Sequence, residues 1–192
     1  MIKSLCNTVF DRHGWTIGAR PDQPVKRCVI IAAPHTSNWD FVYAMSVIDR
    51  LNLPNPRFTI KKEWMRFPFA GIMDRLGAIP IDRSRTTQSG ERMSMVEQMT
   101  EYLRNASEMT LIVTPEGTRS AVKQWKTGFY HVALNAGVPI LLGYMDYAKK
   151  EAGVGQLFEP TGDYDKDMRS IWSFYNTITP RFPEKYTRMP TD

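Results

Sequence analysis

Short, continuously apolar runs alternate along the chain with longer stretches in which apolar residues recur every three or four positions. Residues 28–33 (CVIIAA) and 110–113 (TLIV) are runs of the first kind. A strand covered on both faces reads this way, because neither face needs polar side chains. Residues 57–61 (RFTIK) alternate instead, and 78–81, 139–145 and 154–158 complete a set of six predicted strands. Between them lie helical patterns. Residues 38–51 place Phe41, Ala44, Met45 and Ile48 on one side, with Pro54 beyond the end. Residues 69–76 form a short helix closed by Gly77. Residues 88–105 carry Met95, Val96, Met99, Tyr102 and Leu103 on one face and charges opposite. Residues 128–136 stop at Gly137, 163–176 read as a last helix, and the tail from Thr179 is Pro-rich. A short helix over residues 1–13, with Ile2, Leu5, Cys6, Val9 and Phe10 on a stripe, either packs on the core or lies in a membrane interface.

Strands alternating with helices of these lengths predict one layered α/β domain over residues 1–192, with a mainly parallel central sheet flanked by helices. No internal repeat or linker divides the 192 residues. With 42% hydrophobic and 23% charged residues, the composition excludes a disordered or fibrous chain. The two cysteines, Cys6 and Cys28, are not clustered, and there are three histidines. Neither a disulfide framework nor a metal site is expected, and the thiols read as reduced and cytoplasmic. Residues 1–12 lack the pattern of a secretory signal. The longest charge-free stretch near the centre, 132–145, falls short of the roughly 20 apolar residues that span a bilayer. The expectation is a protein that is soluble or rests on a membrane.

In parallel sheets ligands bind beyond the carboxyl ends of the strands, so two loops matter most. The first apolar strand runs into Pro34-His35-Thr36-Ser37-Asn38-Trp39-Asp40, and TLIV runs into Thr114-Pro115-Glu116-Gly117-Thr118-Arg119. Five residues separate His35 at a strand end from Asp40 in the first turn of a helix, so the carboxylate can reach back to the imidazole. A carboxylate on one ring nitrogen fixes the tautomer and leaves the other nitrogen to take a proton from a hydroxyl. Alone, that spacing is weak evidence and better suits a surface histidine capping a helix. The second loop adds a carboxylate, a glycine, a hydroxyl and a guanidinium suited to bidentate phosphate binding. Its bland alternative is Glu116 pairing with Arg119 in a solvated turn. The start of the 38–51 helix is a further expected source of N–H groups for an oxyanion.

The blocks PHTSNWD, IPIDRS (79–84), TPEGTRS (114–120) and VPI (138–140) occur in one order over about residues 28–146. In this the sequence resembles the glycerolipid acyltransferase family, whose best-known members acylate 1-acyl-glycerol-3-phosphate. The resemblance implies that His35 is the general base and Asp40 its orienting partner. It implies acceptor and phosphate binding by Arg83, Glu116, Gly117, Thr118 and Arg119, with Gly77 and Ile79 in the block of Arg83 and Pro139 near the acyl-donor side. The implied reaction moves a fatty acyl group from an acyl thioester, acyl-CoA or acyl carrier protein, to a lysophospholipid or glycerol-phosphate hydroxyl. Neither a metal, nor a cofactor, nor a covalent enzyme intermediate is implied. The sequence departs from the family at Pro34, where an Asn is usual, which leaves open a non-phosphoglycerol acceptor such as an ornithine lipid or glycolipid.

The net charge of +5 favours anionic partners. Much of it sits in residues 61–85, where Lys61, Lys62, Arg66, Arg75, Arg83 and Arg85 interleave with Trp64, Phe67 and Phe69. A cationic, aromatic surface of this kind suits anionic headgroups or an acidic carrier. The same features also fit a lipid- or carrier-binding module without catalysis. Nucleic-acid binding is not expected, since no recognition motif accompanies the charge. The localisation that follows is cytoplasmic, peripheral to the inner face of the membrane.

Overall fold

The structure is a computed structural model, and it describes residues 2–21, 24–61, 70–82, 84–87 and 90–190. The elements in chain order are α1 (Ile2–Arg12), β1 (Thr16–Ile17), β2 (Arg27–Ala32), α2 (Trp39–Arg50), β3 (Pro56–Lys61), α3 (Ala70–Arg75), β4 (Ala78–Ile81), α4 (Met95–Asn105), β5 (Met109–Val113), α5 (Gly128–Ala136), β6 (Ile140–Asp146), β7 (Glu151–Phe158) and α6 (Tyr164–Tyr175). A 3-10 turn, Pro183–Lys185, lies in the tail. The strands form one sheet in the order β1-β7-β6-β2-β5-β3-β4.

The five strands from β6 to β4 are parallel neighbours. β7 pairs antiparallel with β6, and the two-residue β1 runs parallel to β7. The sheet is therefore mainly parallel, as the alternation of elements predicts. β7 begins earlier than the apolar run 154–158 suggests, because its first residues pair across a tight turn with the end of β6. β1 escapes the pattern because two residues carry no periodicity.

Alternate residues of each central strand face opposite layers. Val29, Ile31, Leu111, Ile140 and Leu142 pack under α4, α5 and α6, in a cluster that includes Leu103, Phe129, Val132 and Ile171. Cys28, Ile30, Leu141, Met145 and Val154 face the other way, against Phe10 of α1 and Tyr43 and Val47 of α2. Burying an aliphatic side chain of this size contributes about 1.5–3 kcal/mol, so the two layers rather than the loops fix the sheet. α1 packs on the core through Cys6 and Phe10, while Leu5 stays 66% exposed. Cys6 and Cys28 are buried free thiols.

One predicted helix is shorter than its sequence pattern. The stretch over 88–105 becomes helical only at Met95, where Ser94 adopts an extended conformation and forms a capping box with Glu97. The Ser94 hydroxyl accepts the Glu97 N–H, and the Glu97 carboxylate accepts the Ser94 N–H, satisfying two donors that helix geometry leaves free. Upstream, Thr86 pairs with Arg92 in an antiparallel bridge and the Met93 N–H bonds the Arg85 carbonyl, which keeps 90–94 out of the helix. Most of the cationic, aromatic stretch, including Lys62, Trp64, Arg66, Phe67 and Phe69, lies outside the described residues.

Tyr175 of α6 is fully buried, and its hydroxyl proton is shared between the carbonyls of Ile31 on β2 and Gly143 on β6, both 3.0 Å away. These carbonyls sit near the carboxyl ends of adjacent strands, so the phenol ties α6 to the edge that carries the site. Tyr175→Phe is expected to lower the urea-unfolding free energy by about 1–2 kcal/mol, with the fold retained.

Candidate active site

Because β6, β2 and β5 are parallel neighbours, their carboxyl ends open on one edge of the sheet. β2 delivers His35 and β5 delivers Glu116 to that edge, with Ile31 in register with Val113. The Ala33–Pro34 peptide bond is cis.

His35 Nδ1 lies 3.2 Å from Asp40 Oδ2. The Asp40 side chain is 2% exposed and that of His35 23%. Asp40 Oδ2 also accepts the backbone N–H groups of Thr36 at 2.9 Å and Ser37 at 2.8 Å. The loop thus folds around its own carboxylate, and the first turn of α2 gains a negative group where the helix dipole favours one. With Nδ1 engaged, Nε2 is the nitrogen left for a substrate.

Five of the N–H groups around the start of α2 are occupied. Those of Thr36 and Ser37 bond Asp40, and that of Trp39 bonds the Ser37 hydroxyl. Those of Asp40 and Phe41 bond the carbonyls of Ser37 and Asn38. These five donors are therefore not free for an oxyanion, while the Asn38 N–H takes part in none of these bonds.

Glu116 is 7% exposed and sits behind the His35 loop, where Oε1 accepts the His35 N–H at 3.1 Å. Among the described residues its Oε2 has no hydrogen-bond partner, and neither do the buried Trp125 Nε1 and Tyr186 hydroxyl. Burial pushes the Glu116 carboxyl up to about 7, against the lowering effect of the His35 N–H. Glu116 therefore does not pair with Arg119.

A groove of about 1610 Å³ opens from this edge, lined by His35, Asp40, Gly117, Thr118, Arg119 and Lys126. It continues over the part of the sheet that α1 and α2 leave uncovered. There Phe41, Ala44, Met45 and Ile48 of α2 face Phe58, Ile112, Met73 and Leu76. Met95 and Met99 of α4 also reach it. Gly117 has φ +64, a left-handed conformation that favours glycine, and a Cβ there would displace only the flexible end of the Lys126 side chain. Gly77 has φ +90, and its Cβ would meet the Pro56 carbonyl at the start of β3.

Of the residues singled out in the sequence, His35, Asp40 and Glu116 converge, and Gly117, Thr118 and Arg119 line the adjoining groove. Pro139 precedes β6 at the opposite end of that strand, and its carbonyl accepts the Val29 N–H. Arg83 lies outside the described residues. Lys126 and Tyr147, whose hydroxyl donates to Asp40 Oδ1 at 2.5 Å, join the site although no motif block contains them. Among the described residues no group of three or more His, Cys, Asp or Glu could hold a metal ion.

A mainly parallel sheet that brings an imidazole, held by a carboxylate, to the mouth of an apolar groove fits the broad class of proteins that act on a hydroxyl. Comparison with known proteins narrows the class. The sequence pattern of the Acyltransferase family matches residues 17–142, more than half of the chain, and the chain belongs to that family. It is 31% identical over 124 residues to the 1-acyl-sn-glycerol-3-phosphate acyltransferase of Haemophilus influenzae, covering 62% of this chain and 48% of the relative. It is 32% identical over 117 residues to the proteins of the same description from Escherichia coli and Salmonella typhimurium, covering 58% of this chain and 44% of each. These matches span less than half the length of the curated relatives.

Proposed function

We propose that the protein transfers a fatty acyl group from an acyl thioester to the free hydroxyl of a lysophosphatidic acid or a related glycerol-phosphate acceptor. The observation that carries this reading is the His35–Asp40 pair at the mouth of a groove with a cationic end and an apolar length. His35 Nε2 takes the hydroxyl proton as the acceptor oxygen attacks the thioester carbonyl. The tetrahedral intermediate expels the thiolate, which recovers the proton from the imidazolium. No enzyme-bound acyl group is needed, because a thiolate leaves readily.

Arg119 and Lys126 line the groove beside His35 and supply positive charge for the acceptor phosphate. The apolar floor and wall formed by Phe58, Ile112, Ala44 and Ile48 suit an acyl chain. Acyl-CoA and acyl carrier protein both present such a thioester. Trp39 and Phe41 at the start of α2 are 38% and 43% exposed, which suits work at the inner surface of the cytoplasmic membrane. No helix among the described residues is long and apolar enough to cross a membrane.

The test is purified protein with acyl-CoA and acyl carrier protein donors against a panel of acceptors, with products identified by mass spectrometry. Acylated lysophosphatidic acid is the expected product. Products from non-phosphorylated acceptors alone would remove Arg119 from the phosphate role. Ala44→Phe narrows the apolar stretch. Overfilling a packed site costs about 1–3 kcal/mol, so kcat/KM for a hexadecanoyl thioester should fall about tenfold or more, while an octanoyl thioester is spared.

A further inference from the structure

β6 ends at Asp146, so Tyr147 leaves the strand next to the one that carries His35. It lies beyond the residues that the family pattern matches. Its hydroxyl donates to Asp40 Oδ1 at 2.5 Å, and among the described residues it is the one partner of that oxygen. The other carboxylate oxygen already serves His35, Thr36 and Ser37. The ring is held in turn, edge-on to Trp15 at 4.8 Å and beside Tyr43 at 6.0 Å. The Tyr147 N–H bonds the Thr179 carbonyl at 2.9 Å, and the Phe182 N–H bonds the Thr36 hydroxyl, so the tail straps both sides of the contact.

Burial, followed by the Asp40 carboxylate, raises the Tyr147 phenol far above its usual range, against a smaller opposite effect from Arg181. The phenol is therefore a constant donor. At 2.5 Å it lies closer to the carboxylate than the imidazole does at 3.2 Å. The terminal torsion of an aspartate is broad and soft, and the backbone N–H groups of Thr36 and Ser37 restrain one oxygen alone. Without the phenol, a buried Oδ1 would lack a partner, and the carboxylate would gain by turning away from His35.

We propose that Tyr147 is a positioning residue for acyl transfer: by fixing Oδ1 of Asp40 it keeps Oδ2 on His35 Nδ1, and so sets the tautomer and aim of the base. This rests on His35 being that base. Tyr147 does not line the groove, so its removal acts on turnover and not on substrate affinity.

The test is Tyr147→Phe, which keeps the ring. The loss of one hydrogen bond to a charged group predicts a fall in kcat of about tenfold or more, with KM for donor and acceptor unchanged. In an Asp40→Asn background the same change should have no further effect. The proton resonance of His35 Nδ1–H, assigned by comparison with His35→Ala, should move or broaden in the Phe variant. An unmoved resonance, an unchanged kcat or additive losses in the double mutant would each overturn the proposal. The resonance needs no turnover, so a wild-type protein that transfers no acyl group sinks the functional reading while the contact is still tested. Should Tyr147→Phe fail to fold, 3-fluorotyrosine in place of Tyr147 retains the ring and donates more strongly. It must then shift the same resonance, and no shift overturns the proposal.

Discussion

His35→Ala is expected to remove acyl transfer almost completely while leaving the protein folded. A positioned base contributes about 10²- to 10⁴-fold to a rate, and no other imidazole is near enough to substitute. His13 bonds Tyr43 and lies against Trp39, and His131 stacks against Tyr164 on the opposite layer. The structural cost is small. The loop is held through the backbone N–H of His35, which the Glu116 carboxylate accepts, and alanine keeps that bond. Asp40 loses one donor and keeps three, from Thr36, Ser37 and Tyr147. Turnover by the purified variant and a thermal melt beside wild type separate the two effects. Turnover near the wild-type rate would show that another group deprotonates the acceptor.

The parts of this arrangement that were legible in the sequence are those in which one local signal suffices. Apolar runs such as CVIIAA and TLIV mark strands covered on both faces, and a parallel sheet sends their following loops to one edge. The loops that bear His35, Asp40 and Glu116 share that edge for this reason alone. The rest depends on which strands become neighbours. Tyr147 reaches Asp40 because β6 lies beside β2, a fact of topology separated by 107 residues of chain. A tyrosine in a turn after an apolar strand carries no pattern of its own. Glu116 shows a second limit. A motif locates the residue on the right loop, but whether its carboxylate faces the groove or the core depends on the path of that loop. Here the loop turns at Gly117, so the carboxylate points inward and Arg119 points to the groove.

That inward carboxylate makes stability depend on pH in an unusual direction. Burial raises Glu116 from an ordinary 4.5 to about 7. Among the described residues the groups that act on it are the His35 N–H and imidazole, which lower it, Asp40, which raises it, and the neighbouring phenols of Tyr175 and Tyr186, and burial outweighs the lowering effects. A carboxyl that holds its proton more tightly when folded adds stability below its unfolded value, and that contribution is lost as pH rises through its folded value. Most carboxylates in ion pairs act in the opposite sense. The shift from 4.5 to about 7 corresponds to roughly 3 kcal/mol withdrawn across that window. Glu116→Gln keeps an oxygen for the His35 N–H and cannot ionise. The difference in urea-unfolding free energy, variant minus wild type, should therefore grow by about that amount between pH 5 and pH 8, whatever the other titrating groups contribute to each protein alone. A difference that stays flat over this range would mean that Glu116 is ionised in the folded protein throughout, with a cation or ordered water compensating its buried oxygen.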